Sequence, residues 1–448
     1  MNKLSYTTIL AAAFLLLPGC SDDAAIDNGM MEESPEVLVG DSEVEIKLSS
    51  NSSPLTRTAH LFEEENPGTG TSTFSTIIGR RLGVFCLASG KQMGEDSPAY
   101  VTDPDWNNKG VAGKSDVVLW GELASVTQGN LAFSEPKYYP ATNWYRYDFY
   151  AYHTSATGTP APVLSDDGKQ VTITETIDGQ KDIIWGKTGY QNIAGDGTDY
   201  NKYAYSARYF RRQMDDKGAI TPPSLKMKHS LCRFTFTVEV GDEAARGITV
   251  SSIALLNMPQ TFSMVLANNT YGLTGDELVS AQTEEGTIIP GSIDMDNRTD
   301  FNLKGYYQYK YDESKYSEVY ADVKWTIPDD ATVSSSHRLN GQDANWDDLS
   351  GKEIVSWPDA HILALPGLNE YTLRIALRTA EGTNLVCDQP LPFGNADGLM
   401  GSEAVPAKPG YSYNVTIKVY GPQDIGLSAE LEDWKTDDTM GDISIELN

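Results

Sequence analysis

The chain has 448 residues and carries 34 Lys and Arg against 63 Asp and Glu, a formal charge of −29. That balance excludes nucleic acid as a partner and electrostatic attachment to anionic lipid, because both need a basic face. With 22% charged and 40% hydrophobic residues, 39 Gly, 22 Pro and 24 Tyr, the composition is that of a turn-rich globular β protein; a polytopic membrane protein, a coiled coil and a disulfide-dense miniprotein are excluded. The length predicts about two or three domains.

The N-terminus reads as an address. Lys3 supplies a positive start, and Ile9 to Leu17 is an apolar run too short for a stable membrane span. The run ends in Leu17-Pro18-Gly19-Cys20, which resembles a bacterial lipobox. That resemblance implies a signal peptide over residues 1–19 and a lipid on Cys20. Ser21-Asp22-Asp23 looks like the acidic tag some lipoproteins carry for display on the cell surface, and residues 20–36 read as a flexible tether. Cys86, Cys232 and Cys387 remain, each in an apolar context. They are expected as buried strand thiols acting as small hydrophobes, with a single disulfide among them as the alternative.

Beyond the tether, residues 43–48 alternate, with Val44, Ile46 and Leu48 on one face, and predict a half-buried first strand. Residues 49–56 are Ser-rich and exposed, and Arg57 and Thr58 follow them. Strands are expected at Leu82 to Leu87, Asp116 to Trp120, Asn130 to Phe133, Tyr145 to Tyr152 and Asp182 to Gly186. Residues 194–220 are polar and turn-rich. A second block opens with one long strand from Leu225 to Val240 and continues through Ile248 to Leu256, Tyr306 to Tyr311, Val319 to Ile327, His361 to Leu365 and Tyr371 to Leu377. Tyr411 to Tyr420, Ile425 to Trp434 and Ile443 to Leu447 close it. No helical run longer than about eight residues shows a 3.6-residue period, although Asp242 to Arg246 suggests one helical turn.

The pattern predicts an all-β protein of two antiparallel β-sandwich domains in tandem, 37–220 and 221–448. Antiparallel pairing is expected because the strands alternate in polarity instead of running continuously apolar.

Catalytic signals are missing. None of His60, His153, His229, His337 and His361 has metal-ligand spacing, and HExxH, GxSxG, P-loop and GxGxxG patterns are absent. The acidic pairs, such as Asp215-Asp216 and Asp347-Asp348, lie on polar turns of an acidic chain. Asp294-Met295-Asp296-Asn297 has Ca²⁺-type donors without the rest of an EF-hand loop and reads as a solvated turn. His229 reads as a core or edge histidine. Trp106, Trp144 and Trp346 are candidates for a sugar-stacking platform, against the commoner fate of core packing. No catalytic residue, metal or cofactor is expected.

Several segments in order resemble the Bacteroides-type fimbrillin family, the Mfa-like lipoproteins that build type V pili. They are the Cys20 lipobox, the Arg57 segment, Leu82-Gly83-Val84-Phe85 and Tyr139-Pro140 with Tyr147-Asp148-Phe149-Tyr150-Ala151-Tyr152. Further on come Lys228 to Phe234, Pro409-Gly410-Tyr411-Ser412-Tyr413 and Trp434. The resemblance implies transthyretin-like sandwiches, no catalysis, and export as an outer-membrane lipoprotein. It further implies a cut after an Arg by an arginine-specific surface protease, and polymerisation with other pilin subunits by strand exchange.

Carried onto this sequence, Arg57 and Thr58 flank the cut, and Arg80 and Arg81 are the runners-up. Val44, Ile46 and Leu48 lie on the discarded strand, and Ile443, Ile445 and Leu447 form a candidate donor strand. The alternative for residues 443–447 is the last strand of their own sheet. The implied final location is the fimbrium, with a host glycan or protein as a further partner. The rivals are a monomeric surface lipoprotein that binds a glycan or host ligand, a pilus anchor, and a surface glycoside hydrolase.

Overall fold

A computed structural model describes residues 44–50, 81–91, 102–127, 130–140, 145–154, 161–180, 182–188, 205–312, 315–346, 353–357, 359–368, 370–392, 407–421, 425–432 and 443–446. In chain order the first half contributes β1 (Leu48–Ser50), β2 (Arg81–Lys91), β3 (Val117–Thr127), β4 (Asn130–Phe133), β5 (Tyr145–Thr154), β6 (Val163–Leu164), β7 (Gln170–Thr176), β8 (Ile183–Thr188), helix α1 (Ala207–Lys217) and β9 (Ser224–His229). Seven of these strands close a barrel in the order β1-β4-β3-β2-β5-β8-β9. The ring is completed by β1, which runs antiparallel to β4 and parallel to β9.

The barrel wall is buried on both sides. Leu82, Val84, Cys86 and Ala88 of β2 meet Tyr147, Phe149 and Ala151 of β5 in one core, inside the barrel. Phe85 and Leu87 of β2 and Tyr150 and Tyr152 of β5 belong to a second core on the outer face. Side chains that alternate across a strand explain this division. Two buried faces explain why β2 reads as an unbroken apolar run. Helix α1 adds Tyr209 and Phe210 to the inner core. Its signals are local: the Ser206 hydroxyl accepts the Tyr209 N–H, and Gly218 ends the helix at φ 66°.

The second half contributes β10 (Cys232–Val240), β11 (Thr249–Pro259), β12 (Thr261–Asn268), helix α2 (Gly275–Glu284), β13 (Arg298–Asn302), β14 (Lys304–Asp312), β15 (Lys315–Asp322), β16 (Trp325–Thr326), β17 (Ser336–Arg338), β18 (Glu353–Ser356), β19 (His361–Ala364), β20 (Glu370–Arg378), β21 (Asn384–Pro392), β22 (Ser412–Val419), β23 (Ile425–Glu432) and β24 (Ile443–Glu446). A nine-stranded sheet runs β15-β14-β19-β10-β22-β23-β24, with β17 beside β10 and β18 beside β14. A five-stranded sheet, β13-β11-β20-β21 with β16 beside β11, shares its core: Phe234, Phe236 and Val238 of β10 pack in one cluster with Val250, Ile253, Leu373 and Ile375. A small sheet, β12-β7-β6, lays Val171, Ile173, Phe262 and Met264 into the same cluster as the outer face of the barrel wall.

The chain is therefore all-β, with two short helices. Four features depart from the sequence reading. Leu225 to Val240 is two strands, because the chain leaves the barrel at His229 and enters the nine-stranded sheet at Cys232. The pairings β1–β9 and β10–β22 are parallel, not antiparallel. The helices α1 and α2, 11 and 10 residues long, exceed the expected helical length. Cys387 is half-buried, whereas Cys86 and Cys232 are buried, and all three are free thiols. The single turn near Asp242 is present as a 3-10 helix over Glu243–Ala245, capped by the Asp242 carboxylate on the Ala244 N–H.

Two measurements test this packing. Phe234 is fully buried, 5.0 Å from the Tyr371 ring centroid and 5.6 Å from that of Tyr413. Phe234→Ala should lower the unfolding free energy by about 3–5 kcal/mol in chemical denaturation. Burial pushes the phenols of Tyr145 and Tyr413 up to about 12. Unfolded, the same groups ionise near about pH 10, so the fold is fully stable below that pH and loses stability as the pH rises towards 12. An alkaline absorbance titration should show their ionisation together with unfolding, after the exposed tyrosines have titrated.

Candidate functional site: the N-terminal strand that closes the barrel

Val44, Ile46 and Leu48 are all buried, while Glu45 and Lys47 between them are exposed. The three side chains enter the barrel core beside Leu131, Tyr139, Leu225 and Met227. Regular strand begins only at Leu48; before it the segment is held by single contacts, with Tyr139 N–H donating to Val44 O at 3.0 Å and Ile46 N–H donating to Lys137 O at 2.6 Å. Leu48 and Ser49 then face Leu131 and Asn130 of β4, and Ser49 and Ser50 face Ser224 and Leu225 of β9. The Ser49 N–H donates to Pro223 O at 2.9 Å.

The segment thus has two properties. It carries three apolar side chains into a core, worth roughly 1.5–3 kcal/mol each. It also stands between two strands that have no other partner on that side of the barrel among the described residues. Taking it out leaves a slot lined by Leu131, Leu225 and Met227, and leaves β4 and β9 as open edges with unpaired N–H and C=O groups.

At the other end of the chain, β24 is the outermost strand of the nine-stranded sheet. Ile443 faces Leu431 and Ile445 faces Ala429 of β23, so this segment pairs within its own sheet. Leu447 lies outside the described residues, as do Cys20, the tether, Arg57, Thr58, Arg80 and Trp144.

The other singled-out residues take structural positions. His229 is buried and its Nδ1 lies 2.8 Å from the Asp182 carboxylate, which also accepts the Ile183 N–H. Trp106, a candidate for stacking sugars, is 1% exposed and donates its indole N–H to Ala88 O, so it is a core residue. Trp346 is half-buried against Tyr307, with ring centroids 4.5 Å apart. Asp294 accepts the N–H groups of Asp296 and Asn297 and closes a turn.

One buried charge had no sequence signal. Glu285, just after α2, accepts hydrogen bonds from the Tyr150 hydroxyl, the Lys187 ammonium and the Asn268 N–H. Burial raises its pKa, against the Lys187 charge, which lowers it. The group ties α2 and β12 to the barrel wall through partners 135 and 98 residues distant in sequence.

The sequence matches no family model, and no curated protein sequence matches it. Solved structures with a similar chain course exist. A crystal structure described as a candidate cell adhesion protein from Bacteroides uniformis is 11% identical, with 87% of this chain and 98% of that chain covered and a TM-score of 0.39. One described in the same words from Bacteroides ovatus is 12% identical, covering 88% and 98%, with a TM-score of 0.40. The fimbrial anchor protein Mfa2 from Porphyromonas gingivalis is 8% identical, covering 87% and 97%, with a TM-score of 0.32.

Ile46→Ala should destabilise the N-terminal segment by about 2–4 kcal/mol. Hydrogen exchange should then speed up at the Ile46, Ser49 and Tyr139 amides before it does in β10 or β22.

Proposed function

We propose that the chain is the precursor of an adhesive fimbrial subunit, exported as a lipoprotein through Cys20 to the outer membrane and matured by a surface protease that cuts after Arg57. The observation that carries this reading is the position of residues 44–50, which fill the gap between β4 and β9. Their loss after a cut in the Ser-rich run would create a strand-sized acceptor groove. An extended segment from a neighbouring subunit that alternates apolar and polar residues matches that groove, because main-chain pairing supplies affinity and alternate side chains fill the slot. The neighbours described as adhesion and fimbrial anchor proteins are in keeping with this reading. In it, transthyretin-like sandwiches serve as building blocks, the partners are other pilin subunits and the protease, no catalysis takes place, and the final location is the fimbrium.

A second reading, a surface lipoprotein or pilus anchor that is never cut, is favoured by one observation: the last described strand, β24, is paired within the chain's own sheet. A tip or anchor subunit needs no free donor strand, which a stalk subunit does.

Mass spectrometry of the N-terminus, on material sheared from intact cells, separates the two. High-molecular-weight material that starts at Thr58 is the expected result. A monomer still lipidated at Cys20 supports the anchor reading instead. Arg57→Ala should retain residues 44–50 and abolish the high-molecular-weight form, without changing the thermal midpoint of the monomer.

A further inference from the structure

We infer that a polar cavity on the opposite side of the barrel wall from the N-terminal strand is a binding site for an uncharged saccharide. The inference deepens the adhesive part of the function proposed above. The cavity holds about 550 Å³ and is open to solvent, a size that suits a small ligand. Three chain segments converge on it from far apart in sequence: the loop before β3, the β6–β7 hairpin and the residues after β12.

The frame is rigid. Trp106 anchors the first loop in the core. Asp116, itself buried, accepts the Asp105 N–H at 2.8 Å and the Asn108 amide at 3.1 Å. Asn269 ties the segments together, donating its main-chain N–H to Lys169 O at 2.7 Å and its side-chain amide to Pro104 O at 3.0 Å. Gly168, at φ 68°, lets the hairpin press against the Asn107 side chain, where a Cβ would collide. A frame built before binding loses little entropy when a ligand arrives.

The chemistry of the walls selects the ligand class. Asp103, Asp167, Asn107, Lys114, Lys169 and Thr102 present carboxylates, an amide, ammonium groups and a hydroxyl side by side. The Asn107 amide and both ammonium groups are exposed and make no hydrogen bond or ion pair among the described residues. Sugar hydroxyls donate and accept at once, so a wall of interleaved donors and acceptors satisfies them, whereas an apolar ligand would strand these groups.

Charge narrows the class further. The Lys91 ammonium lies 2.6 Å from Asp103, and with Lys114 and Lys169 it offsets the carboxylates of Asp103, Asp105 and Asp167. Among the described residues, no group of three His, Cys, Asp or Glu is placed to hold a metal ion. The chain's charge of −29 opposes sialylated or sulfated glycans. Tyr271, 36% exposed, lies beside Asp103.

The test uses the full chain in a non-glycosidic detergent, screened against immobilised neutral oligosaccharides and against sialylated and sulfated ones. The expected result is retention of a neutral class with a solution Kd between about 1 μM and 1 mM. Asn107→Ala and Lys114→Ala should each weaken that binding about ten-fold or more with an unchanged thermal midpoint, while Asp388→Ala on β21 leaves it as it was. Three outcomes overturn the inference: no neutral saccharide retained, retention of charged glycans only, or binding that survives both cavity substitutions. Polymer formation is scored in parallel on the same chain after a cut that leaves Thr58 as the first residue. Polymer without saccharide binding sinks this inference alone; saccharide binding without polymer sinks the strand-exchange reading and leaves the cavity assignment standing.

Discussion

The fold depends on one wall of strands that is buried on both faces. β2 and β5 pair over eight registered positions, and each sends alternate residues into different cores. Inside the barrel they meet Leu48, Leu131, Leu225 and the aromatic face of α1; outside they meet β7 and β12 and, through the same cluster, β10 and β11. Neither core can form without this wall. A charge introduced at any position from Leu82 to Ala88 would be buried whichever way it pointed.

Polar groups hold the layers in register where apolar packing alone would allow sliding. Glu285 collects three donors from β5, β8 and β12. The Trp185 indole N–H donates to Leu266 O and fixes the small sheet against the barrel. Asp182 and His229 meet where the chain passes from the barrel to the nine-stranded sheet. Breaking one partner of such a buried set leaves the others without compensation, which costs about 3–5 kcal/mol for a charged pair. These contacts favour one docking of the layers over alternatives with equal apolar burial.

Much of the architecture was legible because it rests on local pattern. The alternation of Phe234, Phe236 and Val238 marks β10, and Val415, Ile417 and Val419 mark β22, as does the Val44, Ile46, Leu48 set at the N-terminus. What was not legible has physical reasons. The break at Ser230-Leu231 leaves no turn signal, since both residues are themselves buried. Helix α2 buries none of its ten residues, so it carries no apolar stripe for periodicity to detect. Helix α1 had readable caps in Ser206 and Gly218, but aromatic residues beside an Arg pair obscured its face. The β6–β7 hairpin is missing from the expected strands although Val171 and Ile173 alternate with threonines. The polar cavity could not be read at all, because its residues near 105, 167 and 269 become neighbours only through strand pairing.

The parallel pairing of β10 with β22 has a consequence for how the chain reaches its native state. Arg233 sits opposite Ser412, 179 residues further along, and binds it side chain to side chain at 2.9 Å. Every barrel strand lies before residue 230, so the barrel's own pairings are available early in a chain emerging from its N-terminus. The centre of the nine-stranded sheet must wait for nearly the whole polypeptide. Non-local pairing of this kind folds slowly, since loop closure precedes any reward from contacts. During that interval β10, with Phe234, Phe236 and Val238, has an unpaired edge, so the incomplete chain presents an aggregation-prone strand.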